Sequence, residues 1–133
     1  MSIIDERIDS FYESYNAHDA ARAAALYRAG GSHSDHALAK VSRGAAEIEQ
    51  GLVRFFAMIP DIRFSEKKRI VAANRAVVLY EMSGNLHHKS KNGEESVSPV
   101  DLSGVHCFFV EDEKLSSTED YWDMAEFKQQ IKT

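Results

Sequence analysis

Apolar side chains recur at helical spacing in the first half of the chain. Five of them predict one face of an N-terminal helix: Ile4, Ile8, Phe11, Tyr12 and Tyr15. Ser2 is expected to cap this helix, with Asp5 in its first turn. Residues 16–18 break the pattern, and Asp19 is expected to cap a second, alanine-rich helix over residues 20–28.

A third helix is expected after Gly44 and should end at Pro60, which cannot continue a helix. Its apolar stripe consists of Ile48, Leu52, Phe55, Phe56 and Ile59. Between the second and third helices, residues 32–36 are expected to form a short strand.

Beyond Pro60 the periodicity changes to that of strands, which are predicted over residues 62–71, 76–88, 97–110 and 115–122. Asp123 is expected to cap a final short helix. The order of elements predicts an α+β fold in a single domain over residues 1–133. About three N-terminal and middle helices and the short C-terminal helix should pack on one strongly curved antiparallel sheet. A long helix lying across such a sheet makes a cone, with a hydrophobic pocket between helix and sheet.

Composition narrows the function classes. The 133 residues carry a net charge of −5, and this acidic balance argues against nucleic acid as a partner. The single cysteine, Cys107, excludes an internal disulfide framework and any zinc site with several cysteines. There is no apolar run of about 18 residues and the N-terminal stretch is too acidic for a targeting peptide. A cytoplasmic protein that does not interact with membranes is therefore expected.

Several short segments together resemble a known family over nearly the whole chain. They are Tyr15-Asn16-Ala17-His18-Asp19, Ala25-Leu26-Tyr27, Arg43-Gly44, the run from Phe56 through Pro60-Asp61-Ile62-Arg63-Phe64, and Lys114-Leu115 leading to Glu119-Asp120-Tyr121-Trp122-Asp123. In this order they resemble the SnoaL-like group of polyketide cyclases and their relatives, within the nuclear-transport-factor-2-like superfamily. The chain departs from that pattern at Glu113, where the family often has glycine, and in the polar segment 33–38.

The sharpest candidate for chemistry is the pair His106 and Asp120. If the last hairpin folds about Glu113, these two residues lie opposite each other on one face. The same face should carry Leu102, Gly104, Phe108 and Val110 on one strand and Ser116, Thr118 and Trp122 on the other. A carboxylate and an imidazole among apolar neighbours can move protons. The alternative is an ordinary sheet ion pair on the solvent side, and a one-residue shift of the turn would separate the pair.

The resemblance implies that Asp120 is the base that removes an acidic carbon-bound proton, with His106 close by. Six residues are expected to shape the pocket: Tyr15, Tyr27, His36, Phe56, Phe108 and Trp122. The aromatic members of this set could equally be core residues.

Other titratable side chains have weaker functional interpretations. Asp123 competes with Asp120 for the pocket, although a helix cap explains it. Glu81 is expected to face solvent. His33 and Asp35 alternate like two metal ligands on one strand face, but no third ligand is placed, so no metal is expected. Cys107 has no activating base and is expected to be inert.

The leading functional hypothesis is a small cofactor-independent enzyme that abstracts a proton next to a carbonyl of a small hydrophobic molecule, as in cyclisation or isomerisation. One alternative is a non-catalytic binding or dimeric assembly module of the same fold. Another is a dehydratase or hydrolase that uses the same Asp/His pair. The resemblance also implies a homodimer through an apolar outer sheet face: Val77, Leu79, Val105, Cys107, Phe109 and Tyr121.

Overall fold

In a computed structural model, which describes residues 2–133, four helices pack on one six-stranded sheet. The helices of this described part are α1 (Ile3–Asn16), α2 (Ala20–Ala24), α3 (Gly44–Met58) and α4 (Met124–Gln130). Its strands are β1 (Tyr27–Asp35), β2 (Lys40–Arg43), β3 (Arg63–Ala72), β4 (Arg75–Lys89), β5 (Glu95–Glu111) and β6 (Lys114–Trp122). None of the helices in residues 2–133 is both long and apolar enough to cross a membrane.

The strand order across the sheet is β2-β1-β6-β5-β4-β3. Neighbouring strands are antiparallel except β1 and β6, which run parallel, so the sheet is mixed and its two edges stay apart. Helices α1 and α3 cross the inner face of this sheet and bury their apolar stripes there. The expected α+β fold with a curved sheet is confirmed.

The predicted helix boundaries are correct where a side chain caps the helix. Ser2 Oγ accepts from the backbone N–H of Asp5, and the Asp123 carboxylate accepts from the N–H groups of Ala125 and Glu126. Asp19 caps α2 in the same way.

The second helix is shorter than predicted. It ends at Ala24 instead of Arg28, because Tyr27 already pairs with Leu115 of the last strand and the N–H of Leu115 donates to Leu26. This long-range pairing overrides the helix propensity of the alanine run. Strand β2 was not predicted, since four mostly exposed residues carry no apolar periodicity.

The turn between β5 and β6 has two residues instead of the single pivot expected at Glu113. Asp112 and Glu113 both have positive φ, 51° and 64°, which matches the twist of a tight hairpin. Next to the turn, Val110 therefore faces Leu115 and does not face Ser116.

A β-bulge then restores the predicted register. The pairing shifts by one residue at Ser116, so that Phe109 faces Ser117 and His106 faces Asp120. The predicted pair is thus correct, although the turn that was expected to produce it is not.

Candidate acid–base site on the inner face of the sheet

His106 and Asp120 lie opposite each other on β5 and β6, under the helices. The His106 side chain is 1% exposed and that of Asp120 is 14% exposed, with 3.5 Å between His106 Nε2 and Asp120 Oδ2. Two tyrosines complete the cluster. Tyr80 donates to Asp120 Oδ1 at 2.6 Å, and the Tyr12 hydroxyl lies 2.8 Å from His106 Nδ1. The four side chains form one buried network.

The two ring nitrogens of His106 have different partners in this network. Nδ1 contacts the Tyr12 hydroxyl, which has no other hydrogen-bond partner among the described residues. Nε2 faces the Asp120 carboxylate. His106 therefore connects Tyr12 on α1 with Asp120 on β6.

A glycine gives Tyr80 the room to reach Asp120. Tyr80 and Gly104 are register partners on neighbouring strands, and the tyrosine ring crosses directly over the glycine. A Cβ built on Gly104 would lie 2.3 Å from the Tyr80 hydroxyl oxygen, closer than any real contact. The same ring stacks on His106, with 4.3 Å between ring centroids. The missing side chain at Gly104 therefore positions the Tyr80 donor.

The surroundings of Asp120 favour its ionised form. Burial raises the pKa of the Asp120 carboxyl, but the electrostatic attraction and hydrogen bond of His106 and the hydroxyl of Tyr80 act in the opposite direction, so the pKa lies below its ordinary value. Burial raises the pKa of both Tyr12 and Tyr80 well above that of a free phenol, so both keep their protons.

A second carboxylate lies beside the first. Asp35 on β1 is the register partner of Asp120, so their side chains project from the same face of adjacent parallel strands. The indole N–H of Trp122 donates to both oxygens of Asp35, at 3.1 and 3.0 Å. Burial raises the pKa of Asp35, and the nearby charge of Asp120 raises it further. No Lys or Arg of the described residues forms a salt bridge with either carboxylate.

Three polar side chains form a separate chain of hydrogen bonds next to this pair. His33 Nδ1 lies 2.7 Å from Thr118 Oγ1, and the hydroxyl of Tyr27 hydrogen-bonds to the same oxygen. Burial and the proximity of His106 lower the pKa of His33 to about 4. His33 is therefore neutral near pH 7.

Tyr15 has the features expected of a pocket residue. Its ring packs against Phe11, Phe56 and Phe64, and the residue is 4% exposed. Its hydroxyl makes no hydrogen bond with a described residue, and no fully buried polar side-chain atom in residues 2–133 lacks a partner. The Tyr15 oxygen therefore reaches accessible space. Burial is the main cause that raises the pKa of the Tyr15 hydroxyl, and the charge of Asp120 adds to it.

The structure brings most of the predicted pocket residues to the inner face and leaves one outside. Tyr27, Phe56 and Phe108 are buried there, and Trp122 is partly buried beside Asp35. His36 lies on the other side of the sheet: it stacks on Tyr121, with 4.2 Å between ring centroids, and its Nε2 is 2.9 Å from Glu119. Strand alternation explains this position, because His33 and Asp35 face the inner side of the sheet and His36, the residue after Asp35, follows on the outer side.

The remaining candidates have structural explanations. Asp123 caps α4, and Glu81 pairs with Lys67 at the exposed surface, 3.5 Å apart. Burial raises the pKa of Cys107, which makes its thiol a poor nucleophile. His33 and Asp35 do face the same side, but residues 2–133 contain no group of three or more side chains arranged to hold a metal.

Two concavities lie on the outer face of the sheet. One of about 460 Å³ is lined by residues that include Arg75, Cys107, Phe109 and Glu119. The other, of about 350 Å³, has Leu79 and Tyr121 in its wall. Neither includes Asp120 or His106.

Tyr12 and Tyr80 were not predicted as site residues. Thr118 was predicted only to share the face of His106, and His33 was considered only as a metal ligand. Tyr12 belongs to the apolar stripe of α1, and nothing in its spacing separates it from core residues. Tyr80 did carry a signal, because a tyrosine paired with a glycine across two strands has room to extend over it.

The chain belongs to the SnoaL-like domain family, whose model matches residues 8–118. The match ends two residues before Asp120. Among curated proteins, none matches the chain significantly.

Solved structures share the fold at low sequence identity. A protein of ketosteroid isomerase-like fold from Catenulispora acidiphila, in complex with trimethylamine, is 18% identical, with a TM-score of 0.83 over 94% of this chain and 91% of that one. TerC, co-crystallised with polyporic acid, is 20% identical, with a TM-score of 0.77 over 99% of this chain and 100% of that one. A protein from Shewanella denitrificans assigned as a SnoaL-like polyketide cyclase is 13% identical, with a TM-score of 0.83 over 98% and 97%.

Proposed function

We propose that this protein is a small cofactor-independent enzyme that removes a proton next to a carbonyl group of a small hydrophobic molecule. The observation that carries the proposal is the buried carboxylate of Asp120, held by His106 and Tyr80 and facing the inside of the cone. A carboxylate with defined partners in a mostly apolar surrounding is suited to general base catalysis.

In the proposed reaction, Asp120 takes a proton from the carbon next to the carbonyl. The C–H electron pair forms the double bond of an enolate, and negative charge develops on the carbonyl oxygen. Where the enolate is conjugated with a C=C bond, Asp120 then returns the proton to the far carbon of that bond, which isomerises the molecule. Alternatively, the enolate carbon attacks a second carbonyl and closes a ring, and Asp120 returns its proton to the alkoxide oxygen that this carbonyl becomes. His106 and Tyr80 keep the carboxylate oriented through both steps.

The lowered pKa of Asp120 restricts the substrate. A weak base removes protons efficiently only from acidic carbons, since the two pKa values should be close. Carbons between two carbonyl groups are more acidic than carbons next to one and come closer to this requirement, so we infer that dicarbonyl compounds are the preferred substrates. The complexes of two proteins of similar fold with trimethylamine and with polyporic acid support a role in binding small molecules.

The test is proton exchange in deuterium oxide with a panel of cyclic and aromatic mono- and diketones, followed by NMR. Wild type should accelerate deuterium incorporation next to the carbonyl, and Asp120→Asn should lose this activity by about 10²- to 10⁴-fold. Asp101→Asn, on an exposed position of β5, is the matched control and should retain it. Equal rates in wild type and Asp120→Asn would refute the role of Asp120.

A non-catalytic binding module is the second candidate. It is favoured by the two partners, Tyr80 and His106, that already engage Asp120. Ligand-induced thermal stabilisation without proton exchange, equal in wild type and Asp120→Asn, would support this alternative.

We also propose that the outer face of the sheet forms a homodimer. Leu79 and Tyr121 are 39% and 42% exposed on this face, which is unusual for large apolar side chains on a central strand. Arg75 and Glu119 line one concavity with opposite charges, so a second copy related by a two-fold axis could pair them across the interface.

A further inference from the structure

His33 belongs to a chain of hydrogen bonds that the acid–base pair does not use. It lies on the same face as Asp35, opposite Thr118, and next to Asp120 and His106. Its Nδ1 contacts Thr118 Oγ1, whereas its Nε2 has no hydrogen-bond partner among the described residues. Since no fully buried polar side-chain atom in residues 2–133 lacks a partner, Nε2 reaches accessible space.

The partners along this chain determine which nitrogen of His33 carries the proton. The hydroxyl of Tyr27 is buried and contacts only Thr118, so it must donate to Thr118 Oγ1. The single hydroxyl proton of Thr118, which is fully buried, then has one remaining acceptor, His33 Nδ1. A neutral imidazole that accepts at Nδ1 carries its proton on Nε2. The order of donation is therefore Tyr27 to Thr118 to His33, and it ends in an N–H group that has no partner in the protein.

We propose that His33 is the hydrogen-bond donor of the site, and that its Nε2–H receives the oxygen of the bound molecule. The inference deepens the proposed function and rests on it for the kind of molecule, a ketone or diketone. Thr118 and Tyr27 act as positioning residues, because they fix the tautomer without contacting the ligand.

The chemistry of this donor suits an oxygen on which charge develops. A neutral imidazole N–H stabilises an enolate oxygen by hydrogen bonding without giving up its proton. The low pKa of His33 keeps the ring neutral near neutral pH, so it does not compete with Asp120 for the substrate proton. Asp120 would thus act on the carbon and His33 on the oxygen of the same carbonyl compound.

The first test is the tautomer itself, read from ¹⁵N NMR of the protein labelled at histidine. His33 should show a protonated Nε2 and an unprotonated Nδ1 near pH 7. Thr118→Ser keeps the hydroxyl and should leave this pattern unchanged, whereas Thr118→Val removes the donor to Nδ1 and should allow the other tautomer to appear. A wild-type His33 protonated at Nδ1 would overturn the proposal.

The second test uses 1-indanone and indane, which share a carbon skeleton and differ in the carbonyl. Titration with 1-indanone should shift the His33 Nε2–H signal, and titration with indane should not. Loss of the donor in His33→Leu should weaken 1-indanone binding by about 3- to 10-fold and leave indane binding unchanged. His33→Gln, which offers an amide N–H, should recover part of the loss. If 1-indanone leaves the Nε2–H signal unmoved, the proposal is wrong.

These outcomes can be separated from those of the proposed function. A shift at His33 without any Asp120-dependent proton exchange would retain the donor site and reject the enzyme. Asp120-dependent exchange with no response at His33 would retain the enzyme and reject the donor role.

Discussion

Asp35 and Asp120 are register partners on adjacent parallel strands, yet their surroundings shift the pKa values of the two carboxyls in opposite directions. Burial dominates at Asp35 and raises its pKa, although the Trp122 indole hydrogen-bonds to it. At Asp120, His106 and Tyr80 outweigh burial and lower the pKa. Pairs of titratable groups separated in this way are typical of sites that move protons.

The opposite shifts predict opposite contributions to stability as the pH changes. The Asp120 carboxyl binds its proton more tightly in the unfolded chain than in the folded protein. Ionised Asp120 therefore stabilises the fold at pH values above the ordinary aspartate pKa. This contribution is lost as the pH falls through the lower pKa of the folded state. Asp35 binds its proton more tightly in the folded state, so its contribution is lost as pH rises through its raised pKa. Urea unfolding of wild type, Asp120→Asn and Asp35→Asn between pH 3 and 7 measures the contributions of both carboxyls to the unfolding free energy.

Asp120→Asn should therefore flatten the rise of unfolding free energy with pH, and Asp35→Asn should steepen it. Asp101→Asn, at an exposed carboxylate, serves as the control and should leave the curve close to that of wild type. The same change of slope in both site variants would contradict the opposite pKa shifts of Asp35 and Asp120.

His33 should affect the unfolding free energy at a higher pH than the two carboxyls do. Folding lowers the pKa of His33 from 6.5 to about 4. Between pH 4 and pH 6.5, His33 is therefore protonated in the unfolded chain and neutral in the folded protein. The unfolding free energy should rise from about pH 4 to 6.5, by up to ~3 kcal/mol from this residue alone. In His33→Gln this rise should disappear. His18→Gln, which alters a histidine near the α1–α2 turn, should retain it, and a rise that persists in His33→Gln would show that another group causes it.

The fold could be predicted from the sequence because its long elements carry strong periodicity. The stripes of α1 and α3 and the alternation of β4 and β5 each contain enough apolar positions to define one face. Two features escaped prediction because tertiary contacts decide them. Tyr27 leaves the alanine helix to pair with Leu115, and Ser116 forms a bulge that offsets the unexpected two-residue turn.

The site could be predicted only in part. Strand alternation and one cross-strand pair were enough to place His106 opposite Asp120. The hydroxyls of Tyr12 and Tyr80 reach this pair from other elements, across 94 and 40 positions of sequence, and no local pattern reports such distances. For His33, the sequence offered only a metal interpretation, which was not adopted for want of a third ligand. A sequence shows alternation but not the partner of each nitrogen.

Gly104 provides a test of how Tyr80 holds the carboxylate. A methyl group there would overlap the Tyr80 hydroxyl and must push the ring away from Asp120. Gly104→Ala should lower the unfolding free energy by about 1–3 kcal/mol and reduce proton exchange as much as Tyr80→Phe does. Gly51→Ala is the control. Its Cβ would contact only Ser42 Oγ, at an ordinary distance of 3.6 Å, and Gly51 lies in α3, where alanine is favoured over glycine. Full activity in Gly104→Ala would mean that Tyr80 is not needed at Asp120.

The outer face of the sheet should hold two copies of the chain together as a dimer. Leu79 projects from β4 into the wall of an outer concavity and is 39% exposed. In a dimer through this face it would be buried, and Leu79→Lys would place a charge in an apolar interface and weaken association by at least about 10-fold. Sedimentation equilibrium should then show a dimer for wild type and a monomer–dimer mixture for the variant. Val53→Lys introduces the same charge at an exposed apolar position on α3 and should remain dimeric. A monomeric wild type at micromolar concentration would exclude this interface.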